Sequence, residues 1–420
     1  MEYASPMAFL SQIDISVQAG QDALPVRESE RIASMDVIRG FALLGIMLIN
    51  IPSMAMISSA RINPHAYVDA SNLDLRIWRL TNIFIDGRFI TIFSLLFGAG
   101  VILFTSHIET KDMPSGPAYA RRLLFLLVVG LLHAYLIWDG DVLVSYALCG
   151  ATVFWFRKGS AKRLAIWSLV FFIIGAAFAL ETTRILRLVP ELMPRQFSPA
   201  AETAALRGGF LDQIPLRVSR SIGLETTGFV LSSYWRITTA MLLGMVFAKA
   251  KLFSPNAKSK LFACLLLVLG FGIGLLVMAT GGFYQFMYAA NPQEAAMAGE
   301  IANYLSSIPV ALGWIGIILL LMASPIGQNL TSLVAPLGRM AFTNYLMESF
   351  LGTAIFYGTG LGMFGKVHRG EQVLIVVAIW IVQIALSAWW MSRFQFGPLE
   401  WLWRNFVYHK IAPMRRRVAD

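Results

Sequence analysis

SMDVIRGFALLGIMLIN, residues 34–50, reads as the opening of a membrane-spanning helix, yet it carries Asp36, Arg39 and Asn50 among its apolar residues. In an apolar span such groups are kept only where they face protein or water rather than lipid. Arg39 and Asn50 are 11 residues apart. That is close to three turns, so they share one face about 16 Å apart. One stripe of the first helix is therefore polar at both ends.

The rest of the chain fits a membrane protein. Its 420 residues are 57% hydrophobic and 14% charged, with a mean hydropathy of +0.65. Soluble domains carry about 25% charged residues, so the composition dictates an all-α polytopic transmembrane helical bundle. The net charge of +10 does not imply nucleic acid, because no basic stripe with exposed aromatics accompanies it. In a membrane protein, basic residues gather on the cytoplasmic side. Cys149 and Cys264 both sit in apolar segments, so neither a disulfide framework nor a cysteine metal site is implied. Residues 1–34 hold Glu2, Asp14, Asp22, Glu28 and Glu30 and no apolar core beside a cleavage site. They read as a cytoplasmic N-terminal segment, partly disordered, and Ser34 is placed to cap the first helix.

A span needs about 20 apolar residues. Ten segments qualify, near 36–57, 85–106, 121–138, 141–157, 162–184, 229–249, 259–281, 303–323, 338–358 and 372–393. Lys and Arg in the short connections set the orientation. Lys111, Arg121, Arg122, Arg157, Lys158, Lys249, Lys251 and the tail's Arg415, Arg416 and Arg417 fall on one side if both termini are cytoplasmic. The loop 282–302 has neither Lys nor Arg, as an outer loop should. The longest outer stretch, 185–228, mixes prolines with charges and reads as short amphipathic helices capping a cavity. It divides an N-terminal bundle (35–184) from a C-terminal one (229–408), five helices each, followed by a basic tail (409–420). The halves show no sequence repeat.

Several stretches together resemble one family, the bacterial YeiB-like membrane proteins. RGFALLGI (39–46) with Asn50, FSLLFGAG (93–100), and RRL (121–123) through GLLHA (130–134) to GDVL (140–143) match the N-terminal pattern. LGM (243–245), GRMAFTNY (338–345) and GPLEWLWR (397–404) resemble their characteristic domain of unknown function 418. The resemblance covers roughly residues 30–408. That family is similar to transmembrane acyltransferases such as the lysosomal heparan glucosaminide acetyltransferases. It implies a bacterial inner-membrane protein that moves an acyl group from cytoplasmic acyl-CoA to an acceptor outside.

The ionisable residues inside the spans are the candidate site. His133 falls about 12 residues into the third expected helix, roughly 18 Å from its start. It reads either as the general base for a hydroxyl or amine acceptor or as a cross-helix hydrogen-bonding anchor. His65, on an outer loop after Asn50, is the second candidate base, or simply a solvated residue. Glu348 lies mid-helix on one face with Asn344 and Tyr345. It needs a partner such as Arg236, Arg88 or His133, and the family pattern implies an amide there. Asp139 reads as turn-forming, whereas Asp141 belongs to the resemblance and is kept as a catalytic candidate. Arg39, Arg339, Arg121 and Arg404 are candidates for the CoA phosphates, since arginine binds phosphate in a bidentate fork. Snorkelling on the cytoplasmic side is the plain alternative. Asn50, Asn344 and Tyr345 are candidates to hold an oxyanion or position substrate. No metal motif, phosphate loop or nucleophile elbow is present, and no cofactor beyond the donor substrate is expected.

Acyl transfer is the first hypothesis. A proton-coupled transporter with a Glu348–His133–Asp141 relay is the second, and a non-catalytic membrane scaffold the third. A homo-oligomer is compatible with all three.

Overall fold

The computed structural model describes residues 33–66, 70–189, 197–253, 258–287 and 292–416. All but the last two residues of the expected N-terminal segment lie outside the described residues, as do Pro190, Pro194 and Arg417. The chain forms α1 (Ala33–Ala55), α2 (Ser58–Ile62), α3 (Asn72–Phe84), α4 (Arg88–Glu109), α5 (Ser115–Leu136), α6 (Leu143–Phe154), α7 (Ala161–Leu188) and α8 (Pro199–Arg207). It continues with α9 (Phe210–Gly223), α10 (Tyr234–Lys249), α11 (Lys258–Met287), α12 (Pro292–Met322), α13 (Pro325–Arg339), α14 (Ala341–Phe356), α15 (Arg369–Arg393) and α16 (Pro398–Tyr408). A π-helical stretch, Leu224–Ser233, joins α9 to α10.

Among the described residues, eight stretches are long and apolar enough to cross a membrane: α1, α3–α4, α5, α7, α9–α10, α11, α12 and α15. This is an all-α, multi-pass membrane protein. The fourth and ninth expected spans form shorter helices. α6 has 12 residues and α14 has 16, about 18 and 24 Å of rise against a hydrocarbon core of about 30 Å. Each is cut short where another element supplies its first backbone partners. Broken helices of this kind persist at membrane depth where protein or a water-lined cavity surrounds them. The loop expected at 282–302 is also shorter, because α11 runs to Met287 and α12 starts at Pro292.

The N- and C-terminal sets of helices interleave: α10 packs on α4 and α7, while α1 packs on α13 and α14. Small residues allow it. A side chain at Gly338 would strike the Asp36 carbonyl, and one at Gly40 would strike Val334. A side chain at Gly244 would strike the Leu95 carbonyl, and one at Gly98 the backbone of Met241. Backbone-to-backbone approach through glycine is the usual means of packing helices in lipid. The glycines of the RG, FGAG, LGM and GR motifs are thus crossing points.

Candidate functional site

α5 begins at Ser115, six residues before the expected start, behind Pro114. His133 therefore comes 18 residues after the helix begins, about 27 Å along it. It lies one turn from the helix end rather than near mid-helix. There the chain reverses through Trp138, Asp139, Gly140 and Asp141 into α6, which brings Asp141 back onto His133.

His133 Nδ1 lies 2.8 Å from Asp141 Oδ1, and each side chain is only 1% exposed. The second carboxylate oxygen of Asp141 accepts the Val144 amide at 2.8 Å, supplying one of the orphan donors at the start of α6. A carboxylate can only accept, so Nδ1 carries the hydrogen and the Nε2 lone pair is left for chemistry. Nε2 is buried and meets no hydrogen-bond partner among the described residues. The imidazole packs against Tyr345, with ring centres 5.3 Å apart, and edge-on to Trp138 at 6.3 Å. The Tyr345 hydroxyl accepts the Val142 amide at 3.3 Å, so its own hydrogen remains to be donated.

On the other side of Tyr345 and Val142 is a cavity of about 560 Å³. Its lining includes Tyr345, Val142, Leu143 and Tyr146 together with four arginines, Arg39, Arg122, Arg339 and Arg404. Tyr345 thus touches both the buried histidine and an arginine-lined cavity. Tyr146 is fixed in that wall by donating to the Ile90 carbonyl and accepting from Ser94, both at 3.1 Å. Arg39 pairs with Asp36 at 2.9 Å. Arg404 stacks over Phe396 at 4.4 Å. Arg121 is off the cavity: its Nε donates to the Val407 carbonyl at 2.8 Å and ties α5 to α16. Arg122, one residue on and about 100° round the helix, lines the cavity in its place.

Glu400 also lines the cavity. It accepts the Phe342 and Thr343 amides at 2.7 and 3.1 Å and the Thr343 hydroxyl at 2.6 Å. A carboxylate from α16 therefore caps the first turn of α14, where the helix dipole favours negative charge. Burial raises its pKa, opposed by the Thr343 hydroxyl and those amides. The GPLEWLWR motif pointed to this segment, but not to the role of its acid.

The remaining candidates are placed elsewhere. Both amide hydrogens of Asn344 are committed, to the Leu337 carbonyl at 3.1 Å and the Ser387 hydroxyl at 2.9 Å. It brackets α13, α14 and α15 and has no donor left for an oxyanion. Glu348 is buried with Gln383 beside it, and none of its expected partners reaches it. Arg88 donates to Ser306, Arg236 to Asn303 and Glu300, and His133 faces Asp141. Asn50 is half-buried near the end of α1 and is not among the cavity-lining residues. His65 is exposed on a short 3₁₀ turn, apart from the buried pair. Among the described residues, no three His, Cys, Asp or Glu side chains gather as a metal ion would require.

Within the expected outer stretch, α8 and α9 lie over the His133 turn. Arg217 donates to the Leu136 carbonyl at 2.9 Å, and Ser221 to the Ala134 carbonyl at 3.1 Å. Arg220 pairs with Glu202 and, at 3.7 Å, with Asp139. Burial pushes the Asp139 carboxyl up, and the Arg220 guanidinium opposes it. Asp139 is thus part of a charged seal as well as of the turn.

Residues 247–410 match the family described as "Protein of unknown function (DUF418)". The chain is 30% identical over 407 residues to the uncharacterized protein YxaH of Bacillus subtilis, covering 94% of this chain and 98% of the relative. It is 27% identical over 399 residues to the uncharacterized protein YeiB of Escherichia coli, covering 91% and 98%. An uncharacterized 39.9 kDa protein of Bacillus acidopullulyticus is 26% identical over 412 residues, covering 94% and 99%. No solved structure matches.

Proposed function

The chain belongs to the DUF418 family of proteins of unknown function, and within that family we propose that it is a membrane-embedded acyltransferase. The donor is acyl-CoA and the acceptor an extracytoplasmic hydroxyl or amine. One observation carries the reading: a buried His133–Asp141 pair, with Nε2 unpartnered among the described residues, packs against Tyr345, which also lines an arginine-lined cavity. The bacterial relatives and the Lys/Arg distribution support a plasma-membrane protein with both termini and the arginine mouth on the cytoplasmic side.

In this scheme the phosphates of the donor rest among the arginines, and the acyl thioester reaches the Tyr345 end. His133 Nε2 takes the proton from the acceptor O–H or N–H, and Asp141 stabilises the imidazolium through Nδ1. The acceptor oxygen or nitrogen attacks the thioester carbonyl, and Tyr345 O–H donates to the developing oxyanion. The C–S bond then breaks, the ester or amide is released, and the thiolate leaves with the proton held by His133. Tyr345 must shift to join the two compartments.

The test uses the full chain in neutral-lipid nanodiscs with acetyl-CoA and a panel of amino sugars and sugar alcohols, reading release of free CoA thiol. Acceptor-dependent release that disappears in His133→Ala is expected. Release that persists undiminished in that variant would overturn the assignment. The transporter reading is not favoured, because Glu348 shares no hydrogen bond with the His133–Asp141 pair.

A further inference from the structure

Resting on the reading of the cavity as a donor site, we propose that Arg122 is its anion clamp. Arg122 would grip a phosphate or pyrophosphate group whose attached chain runs on toward Tyr345.

The guanidinium of Arg122 sits in an aromatic box. Its central carbon is 5.2 Å from the ring centres of both Phe97 and Phe104, and 4.8 Å from that of Trp403. Among the described residues no carboxylate pairs with it, and its buried Nε meets no acceptor. The acids on the cavity wall are engaged elsewhere, Asp36 with Arg39 and Glu400 with the start of α14. An arginine stays charged at any working pH, and holding a cation among rings with no counter-ion is costly. Ring faces recover part of that cost through cation–π attraction. They also hold the guanidinium plane and leave its N–H fork for a planar or tetrahedral oxyanion. Snorkelling describes Arg121, which reaches out to the Val407 carbonyl. It does not describe its neighbour, which is turned into the cavity.

A phosphate on a chain of this kind has two sources, the nucleotide end of acyl-CoA or the headgroup of a membrane phospholipid. Two arms of one experiment separate them. Calorimetry on the full chain in nanodiscs of zwitterionic lipid measures binding of acetyl-CoA, and of inorganic pyrophosphate alone. A parallel set of nanodiscs adds an anionic phospholipid and follows melting temperature. Arg122→Gln is expected to weaken acetyl-CoA about 10- to 100-fold, the cost of losing a charged hydrogen-bond pair. Arg122→Lys should fall between, keeping charge but losing the fork. Arg121→Gln should bind as the parent does. The unliganded melting temperature of Arg122→Gln should be unchanged or raised, whereas a purely structural arginine would lower it. If acetyl-CoA binds parent and Arg122→Gln equally, the clamp is overturned and the acyl-CoA reading stands. If acetyl-CoA does not bind, but anionic lipid stabilises the parent and not Arg122→Gln, the clamp stands and the acyl-CoA reading falls. If no anion acts through Arg122, the clamp is overturned.

Discussion

Asp141 Oδ1 meets His133 Nδ1 at 2.8 Å while its other oxygen accepts the Val144 amide at 2.8 Å. One carboxylate therefore sets the histidine tautomer and starts the helix that forms the cavity wall beside it.

Replacing Asp141 by Asn tests that coupling. An amide that turns its NH₂ toward Nδ1 forces the hydrogen onto Nε2 and removes the base. Acyl transfer should fall about 10²- to 10⁴-fold, comparable to losing general-base catalysis. Circular dichroism should stay near that of the parent, because the amide that turns its NH₂ toward Nδ1 keeps its carbonyl oxygen on the Val144 amide. Equal activity in Asp141→Asn would remove Asp141 from the mechanism.

Tyr345→Phe keeps the ring against His133 and deletes the hydroxyl. Loss of one oxyanion donor corresponds to about 10²–10³ in kcat. KM for acetyl-CoA should stay near the parent value, since the proposed scheme assigns the phosphates to the arginines and not to Tyr345. A change confined to KM would assign Tyr345 to ground-state binding instead.

Glu400→Ala removes three hydrogen bonds from the first turn of α14. A lost helix cap costs about 1–2 kcal/mol, readable as a lower melting temperature in detergent. Glu400→Gln, which keeps an acceptor oxygen, should recover part of it.

Gly338→Ala places a methyl group against the Asp36 carbonyl where α1 and α13 cross. Both neighbours are backbone, so the helices must separate. Overpacking of this kind costs about 1–3 kcal/mol. The yield of folded protein should drop, and an unchanged melting temperature would show that the crossing tolerates separation.

Asp139 carries a pH signature. Burial raises its folded pKa above the ordinary 3.8, opposed by Arg220, so between those values the folded state holds more protons than the unfolded one. Stability from this group is present below pH 3.8 and is lost as pH rises through the folded value. Asp139→Asn should flatten that part of the melting profile and be no less stable than the parent at neutral pH. A steeper acid-side slope in the variant would contradict the sign.

Much of the bundle was legible from hydropathy, because lipid imposes its length and polarity rule on each segment separately. His133 was conspicuous as an ionisable residue inside an apolar span, whereas Asp141 was kept on the family resemblance, and its pairing with His133 appears only in the fold. The sequence was less able to choose between Arg121 and Arg122. Adjacent positions on a helix point about 100° apart, and α16 decides which one faces the cavity by placing Trp403 on Arg122 and the Val407 carbonyl at Arg121. Asn344 looked like a free donor until α13 and α15 took both its hydrogens. Nothing local in the sequence marked Glu400 as the cap of α14, because its hydrogen bond to Thr343 spans 57 residues.

The polar stripe of residues 34–50 shows the same division. By itself the sequence determined that α1 spans a membrane with Asp36, Arg39 and Asn50 turned away from lipid, because the solvent requirement acts residue by residue. Only the tertiary structure decided that Arg39 faces a cavity while Asn50 does not line it. Of the helices lining that cavity, α1 crosses α13, and α4 crosses α10, at backbone distance through glycines. Such contacts join residues hundreds of positions apart, and local periodicity carries no record of them.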